Sequence, residues 1–317
     1  MPTLITRAGQ WVDVAGKVHA VHAPYLPTSK AQILADCGAN DADADLIPDT
    51  GVKTLATGQL YEGRYLRGRV HMGNGSVLRN CVVEMPSVTS FLAAIDAFGV
   101  SGWLIEDVEI RVRVEDQSYF NSYAFQGAGG TLRRVRSSGT VDSFYLVGIN
   151  HRPSLTILEG FVSTGLTYFT GEGVHPTDTK THGDNVTVDG NQGKVIVRYG
   201  VIDPANSAGI FITQTSGKTF DAKPTVEHVY FNTPSNPVGT VGSYLTLHEN
   251  VTVGAELRDL VFPPGTSPAR MLVPAGLVSQ MEWSSHGPRR CLYTDGSGPV
   301  PYWNSTQGLV YTYGEAA

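Results

Sequence analysis

Charge is scarce in this chain: Asp, Glu, Lys and Arg make up 16% of its 317 residues, and the net charge is -6. No basic patch of the kind that neutralises phosphates is visible, which speaks against a nucleic-acid partner. Cysteine is scarcer still. Cys37, Cys81 and Cys291 are odd in number and far apart, with no CxxC pair or zinc spacing, so a reduced protein is expected. No run approaches the roughly 18 apolar residues of a membrane span. Met1–Arg7 has no continuous apolar segment of the kind a secretory signal carries. A GxSxG elbow is missing, and Gly127-Ala128-Gly129-Gly130 opens no helix, so nucleophile-elbow hydrolysis and phosphate cradling are both set aside. The densest basic spot, Arg133, Arg134 and Arg136, reads as a solvated strand face.

Turn formers are what the chain has in quantity, with 36 glycines and 18 prolines separating short β-branched segments. These segments repeat. Leu78-Arg79-Asn80-Cys81-Val82-Val83, Ile105-Glu106-Asp107-Val108-Glu109-Ile110, Leu132-Arg133-Arg134-Val135-Arg136 and Leu158-Glu159-Gly160-Phe161-Val162 share one pattern, and Gly183-Asp184-Asn185-Val186-Thr187-Val188 keeps its second half. The strand openings Cys81, Val108, Val135, Phe161 and Val186 fall 27, 27, 26 and 25 residues apart. A fixed period of this size marks a stacked array whose units cannot bury an apolar face alone. Strand-rich, Gly-punctuated units point to a parallel β-helix. The aromatic pairs Tyr119-Phe120, Phe144-Tyr145 and Tyr168-Phe169 recur 25 and 24 residues apart. Neighbouring strand residues face opposite ways. One ring of each pair therefore belongs inside, and the tyrosines Tyr119, Tyr145 and Tyr168, with Tyr123, could form an outer platform for sugar rings.

Residues 1–70 do not follow the repeat and read as an N-terminal cap region, with a short helix near Thr28–Ala35 and an acidic loop from Asn40 to Asp45. Residues 71–263 form the β-helix body. Within it Gly209–Ile212 follows the Val186 series, and Tyr199–Ile202, Val226–Phe231 and Asn250–Val253 form another. Residues 264–317, aperiodic and rich in Gly, Pro, Trp and Tyr, read as a C-terminal cap or attachment segment.

One corner breaks the pattern. Between Phe169 and Val186 lie Glu172, His175, Asp178, Lys180, His182 and Asp184, and Gly183 stands where earlier units carry Leu or Ile. A broken local rule among ionisable residues is how a site surfaces in a regular scaffold. An imidazole beside carboxylates could act as general base or hold a divalent cation such as calcium. The bland alternative is a polar turn in which Asp184 and Asn185 bond backbone. Asp142 and Glu159, on neighbouring units, are a further candidate carboxylate pair.

With the repeat and the His182-Gly183-Asp184 corner in view, the chain resembles the pectate-lyase-like superfamily of right-handed parallel β-helix proteins. Asn80-Cys81-Val82-Val83, Asp107-Val108-Glu109-Ile110 and Asn185-Val186-Thr187-Val188 look like its rung motif. The resemblance covers about residues 70–263 and implies an all-β solenoid with irregular N- and C-terminal caps that cleaves a polysaccharide by hydrolysis or β-elimination. His182 would then be acid/base, Asp178 or Asp184 would orient it or hold a cation, His175 would join them in the catalytic corner, and Glu172 and Lys180 would bind the substrate. The polygalacturonase signatures Asn-Thr-Asp, Asp-Asp and Gly-His-Gly are absent, as is the arginine-based calcium site of the pectate lyases. The absent signal and irregular ends also look like bacteriophage tail proteins, which bind or trim host-surface glycans. That implies a place in the virion or, alternatively, secretion, contacts with other tail proteins, and a homotrimer. The competing class is a non-catalytic glycan-binding adhesin or structural tail module.

Overall fold

Short β-branched segments spaced one coil apart bury an apolar face only when stacked, and the computed structural model shows that stack. It describes residues 25–263 apart from 89–92, 115–121, 149–152, 154, 169, 176–177, 181–182, 191, 205–206, 216–217, 234–242 and 249. Outside that range it describes the backbone of 10–12, 18–20, 271–273, 282–283, 292–293, 302–304 and 309–311; for 86–88, 170–175 and 178–180 it likewise gives backbone alone. The chain is an all-β parallel β-helix whose one described helix is Lys30–Asp36.

Two parallel ladders build the coil. In the long ladder Leu60–Glu62 and Arg64–His71 both pair with Val77–Val88, which is followed by Leu104–Val114, Thr131–Ser138, Leu155–Thr164, Lys194–Ile202, Thr225–Phe231 and Glu256–Arg258. The short ladder stacks Ala93–Ala97, Tyr123–Gly127, Asp142–Leu146, Asp184–Asp189, Ala208–Thr213 and Ser243–Leu247. Between them lies one continuous core, with Leu78, Ile105, Leu132, Leu158, Val197 and Val226 in register and buried.

Cys81, Val108, Val135 and Phe161 are ladder partners, as their spacing predicts. Val186 is not the fifth. Phe161 pairs with Gly200, whereas Val186 pairs with Phe144 and Ile210 in the short ladder. Both ladders recur once per coil, so a period alone does not separate them. An inserted antiparallel hairpin, Thr170–His175 with Asp178–Lys180, lengthens this coil and hides the true partner. Gly183 therefore replaces no core leucine; Val197 stands in register with Leu158. Asn250–Val253 forms no rung either, because Glu256–Arg258 stacks on Thr225–Phe231. A Cβ on Gly200 would lie 2.2 Å from the Phe161 ring, so the glycine there makes room for the aromatic beneath it.

Each long rung bends at one residue of left-handed backbone: Gly63, Asn80, Asp107, Arg134, Gly160, Tyr199, His228 and Asp259, with φ of 47–66°. Asn and Asp tolerate this region; the bulkier residues adopt it only where packing over-determines it. Immediately before each bend stands a charged residue, and in register these read Glu62, Arg79, Glu106, Arg133, Glu159, Arg198, Glu227 and Arg258. The sign alternates at every rung. Arg133 lies 2.5 Å from Glu159 and 3.6 Å from Glu106, and Arg198 lies 2.6 Å from Glu159. Arg134 adds a bidentate pair with Asp107, at 2.6 and 2.9 Å. The Arg133–Arg136 cluster is thus no solvated face: Arg136 also donates to the Leu34 and Cys37 carbonyls.

Those carbonyls belong to residues 25–46, a strap along the bends of the long ladder. Ser29 caps the helix by accepting from the Gln32 N–H. Ile33, Tyr25 and Cys37 pack on Val162, Tyr199 and Val201. Farther along, the Asn40 N–H donates to Asn80 and Asp43 pairs with Arg111 at 2.6 Å. Tyr25 fills the notch at Gly160, where a Cβ would meet its ring at 2.6 Å.

The parallel ladder begins at Ile47–Thr54, which pairs only with Arg64–His71 among the described strands. Pro48, the positive-φ Gly51 and the Asp49–Lys53 pair at 2.6 Å are features that discourage strand addition at an open edge. At the other end the backbone continues both ladders through Met271–Val273, Glu282–Trp283 and Leu292–Tyr293. It closes with an antiparallel hairpin, Tyr302–Asn304 with Leu309–Tyr311. Among the described residues no helix is long and apolar enough to cross a membrane.

Candidate functional site

The irregular corner is divided between two elements. His175 and Asp178 are cross-strand partners on the inserted hairpin, which also carries Glu172 and Lys180; the backbone of these four residues is described. Asp184 opens the next short-ladder strand. His182, Tyr119, Phe120 and Phe169 lie outside the described residues. Tyr168 sits half-buried in the connection after Leu155–Thr164.

Asp184 is brought instead to Asp142. In the short ladder Ser143 and Asn185 are buried, as are Phe144 and Val186 one position on, so two consecutive residues face inward and the strand bends there. The residues before the bend, Tyr123, Asp142 and Asp184, follow one another on successive rungs about 4.8 Å apart. The Asp184 N–H donates to Asp142 Oδ1 at 2.7 Å. Asp184 Oδ1 in turn accepts from the Ala208 N–H at 2.8 Å. Behind them a buried hydroxyl network, Ser137, Ser143 and Ser163 with Asn185 Nδ2, fixes the backbone that presents the two carboxyls.

Accepting a backbone N–H normally holds a carboxyl low. Asp142 is nevertheless driven well above the ordinary Asp range, first by burial and then by the neighbouring Asp184. Asp189, at the far end of the same strand, shows the opposite outcome in an equally dry place. Burial pushes it up, but Lys218 at 2.7 Å and the Thr215 N–H and hydroxyl prevail, and its carboxyl titrates below the usual value. Tyr145 donates to Asp189 Oδ2 at 3.0 Å and stacks on Tyr123 with ring centroids 5.0 Å apart. The Tyr123 phenol is pushed upward by burial and by Asp142, Tyr145, Asp184 and Asp189.

A carboxyl raised by burial beside a second carboxyl is an arrangement that can donate and accept protons within one site. Of the residues the sequence nominated, Asp184, Tyr123 and Tyr145 converge here. The hairpin residues are on a separate sheet, and Glu159, the other half of the expected Asp142 pair, is in the long ladder between Arg133 and Arg198. Sequence reasoning weighed Asp142 only with Glu159, and it did not name Asp189. Asp142 is 42 residues from Asp184, and only the ladder register could have joined them. Among the described residues no group of three or more His, Cys, Asp or Glu is placed to hold a metal ion. Compared with protein families, curated proteins and solved structures, the chain matches none.

Proposed function

We propose that this β-helix acts on a polysaccharide through the short-ladder face, with Asp142 as general acid and Asp184 as its carboxylate partner. The observation that carries the reading is the Asp142–Asp184 contact: two acids in register, one driven above the ordinary Asp range by burial and by the other, with paired tyrosines alongside. A raised carboxyl next to another carboxyl is the equipment of glycoside hydrolysis, in which one acid protonates the leaving oxygen. Hydrolysis therefore fits better than β-elimination. The setting is that of a pectate-lyase-like scaffold on a phage tail, trimming or recognising a host surface glycan; the tail placement rests on analogy with that class.

A second reading keeps the glycan and drops the chemistry. Each carboxylate also caps the first N–H of the next rung, a structural duty that a purely adhesive tail module would retain. The two readings separate in a degradation assay on bacterial surface and plant polysaccharides, following reducing ends and unsaturated-product absorbance together, with and without chelator. New reducing ends without absorbance, abolished in Asp142→Asn and Asp184→Asn proteins that still bind the glycan, are the expected result. Absorbance with the new ends would replace hydrolysis by a lyase. Binding without product would leave the adhesin.

A further inference from the structure

We propose that the short-ladder face selects a neutral or N-acetylated glycan over a uronate, with Gln126 taking a hydroxyl or acetamido N–H of the chain. This rests on the glycan reading above and names its substrate class.

Gln126 follows Asp96 and precedes Tyr145 in ladder register, on the rung below the Asp142 strand. It is 6% exposed, and its Oε1 is shut off from solvent and accepts no hydrogen bond among the described residues. Buried acceptors are almost always satisfied, so an orphan calls for a reason such as a missing ligand. Both register neighbours, Asp96 and Tyr145, are part-exposed, so the orphan oxygen lies in a column whose adjoining residues reach the surface of this face. What an amide oxygen lacks is a donor. Sugar hydroxyls and acetamido N–H groups are donors; the ring hydroxyls of a uronate qualify as well, so Gln126 calls for a glycan and the choice against a uronate comes from charge.

The charges on this face point the same way. Asp96 and Asp184 put negative charge on it beside the acid Asp142, and the described cations nearby are already engaged. Arg69 donates to the Ala93 carbonyl at 2.8 Å, His71 faces Asp96 at 3.4 Å, and Lys218 holds Asp189. Among the described residues, the register columns through Asp142 and through Gln126 contain no Lys or Arg from Ala93 to Thr246. A polyuronate laid across these rungs would bring carboxylates against carboxylates. A neutral chain meets no such repulsion, and rungs about 4.8 Å apart repeat at close to the length of one pyranose unit.

The test is titration of the full-length chain with three oligosaccharides of equal length: an N-acetylglucosamine oligomer, a neutral glucan and an oligogalacturonate. The wild type is expected to bind one of the first two and to bind the uronate at least tenfold more weakly. Gln126→Leu should lose about tenfold in affinity, the worth of one good hydrogen bond, while melting at a higher temperature because an orphan acceptor is gone. A merely structural glutamine would move affinity and melting in the same direction. Uronate binding as tight as the neutral chains, or Gln126→Leu binding like wild type, overturns the inference and leaves the glycan reading standing. If none of the three oligomers binds, nor any polysaccharide in the degradation panel, the glycan reading itself falls and takes this one with it.

Discussion

Two sides of one coil handle ionisable residues in opposite ways. Along the bends of the long ladder, eight residues from Glu62 to Arg258 alternate in sign at every rung. Each interior member meets an opposite charge above and below, so Glu106 and Glu159 stay buried at 1% side-chain exposure. A slip by one rung would set Glu against Glu, so the alternation also specifies register, in the manner of charge patterns that exclude wrong pairings. On the short ladder, two aspartates are in register with the same sign, and no described Lys or Arg shares their column. A scaffold that can alternate charges over eight rungs departs from that rule at one pair. Such a departure is where function is expected, because it is not what stability would select.

The long column is the place to break the contrast hardest. Glu159→Ala would leave Arg133 and Arg198 facing each other across a dry rung. Removing one partner of a buried pair costs about 3–5 kcal/mol, so denaturant unfolding should show a loss of that order. Glu159→Arg should be worse still, and a loss under 1 kcal/mol would mean the column is solvated and does not set register.

Asp189 offers a way to convert one kind of aspartate into the other. Its carboxyl is held low by Lys218 and Thr215, so it stabilises the fold above the ordinary Asp pKa and loses that contribution as pH falls through its own lower value. Lys218→Met should therefore cost about 1–3 kcal/mol at neutral pH, the penalty of an uncompensated buried group. The loss should shrink near pH 4 as the unpaired acid takes up a proton. An equal loss at both pH values would show that the lysine contributes packing alone.

Asp142→Asn is the converse and carries the opposite sign. A carboxyl whose pKa is raised on folding favours the folded state most at acid pH and loses that contribution as pH rises from the ordinary Asp value toward its own. Asparagine keeps the acceptor for the Asp184 N–H and removes the titration. It should stabilise the protein at neutral pH, with the gain vanishing as pH falls through the ordinary Asp value, while abolishing turnover. Destabilisation at neutral pH would show that Asp142 is ionised and satisfied, and would remove it as the acid.

The architecture was legible because Cys81, Val108, Val135 and Phe161 are both apolar and evenly spaced. The misplacement of Val186 has a physical source: a chain winding through two ladders shows one period for both, and the Thr170–Lys180 hairpin shifts the phase. The charge column had a sequence signal, since Arg79, Glu106, Arg133 and Glu159 each stand two residues before a strand opening and alternate in sign. It goes unread until rungs are aligned, because within one segment a lone charge looks solvated. The corner led to Asp184 but not to Asp142. The inserted hairpin separates them in sequence, and what makes them a site is their contact across a rung.

Tyr145 carries the smallest effect and divides the two roles of the tyrosine pair. Its hydroxyl donates to Asp189, while its ring stacks on Tyr123. Tyr145→Phe removes only the first and should cost about 0.5–1.5 kcal/mol, with glycan affinity retained because the ring remains. Tyr145→Ala removes both and should weaken glycan binding as well, through the lost stacking surface. If phenylalanine already abolishes binding, the phenol touches the ligand, and the platform is a hydrogen-bonding surface. If alanine leaves binding unchanged, the tyrosines serve the fold, and the short ladder must recognise its ligand through Gln126 and the carboxyl pair.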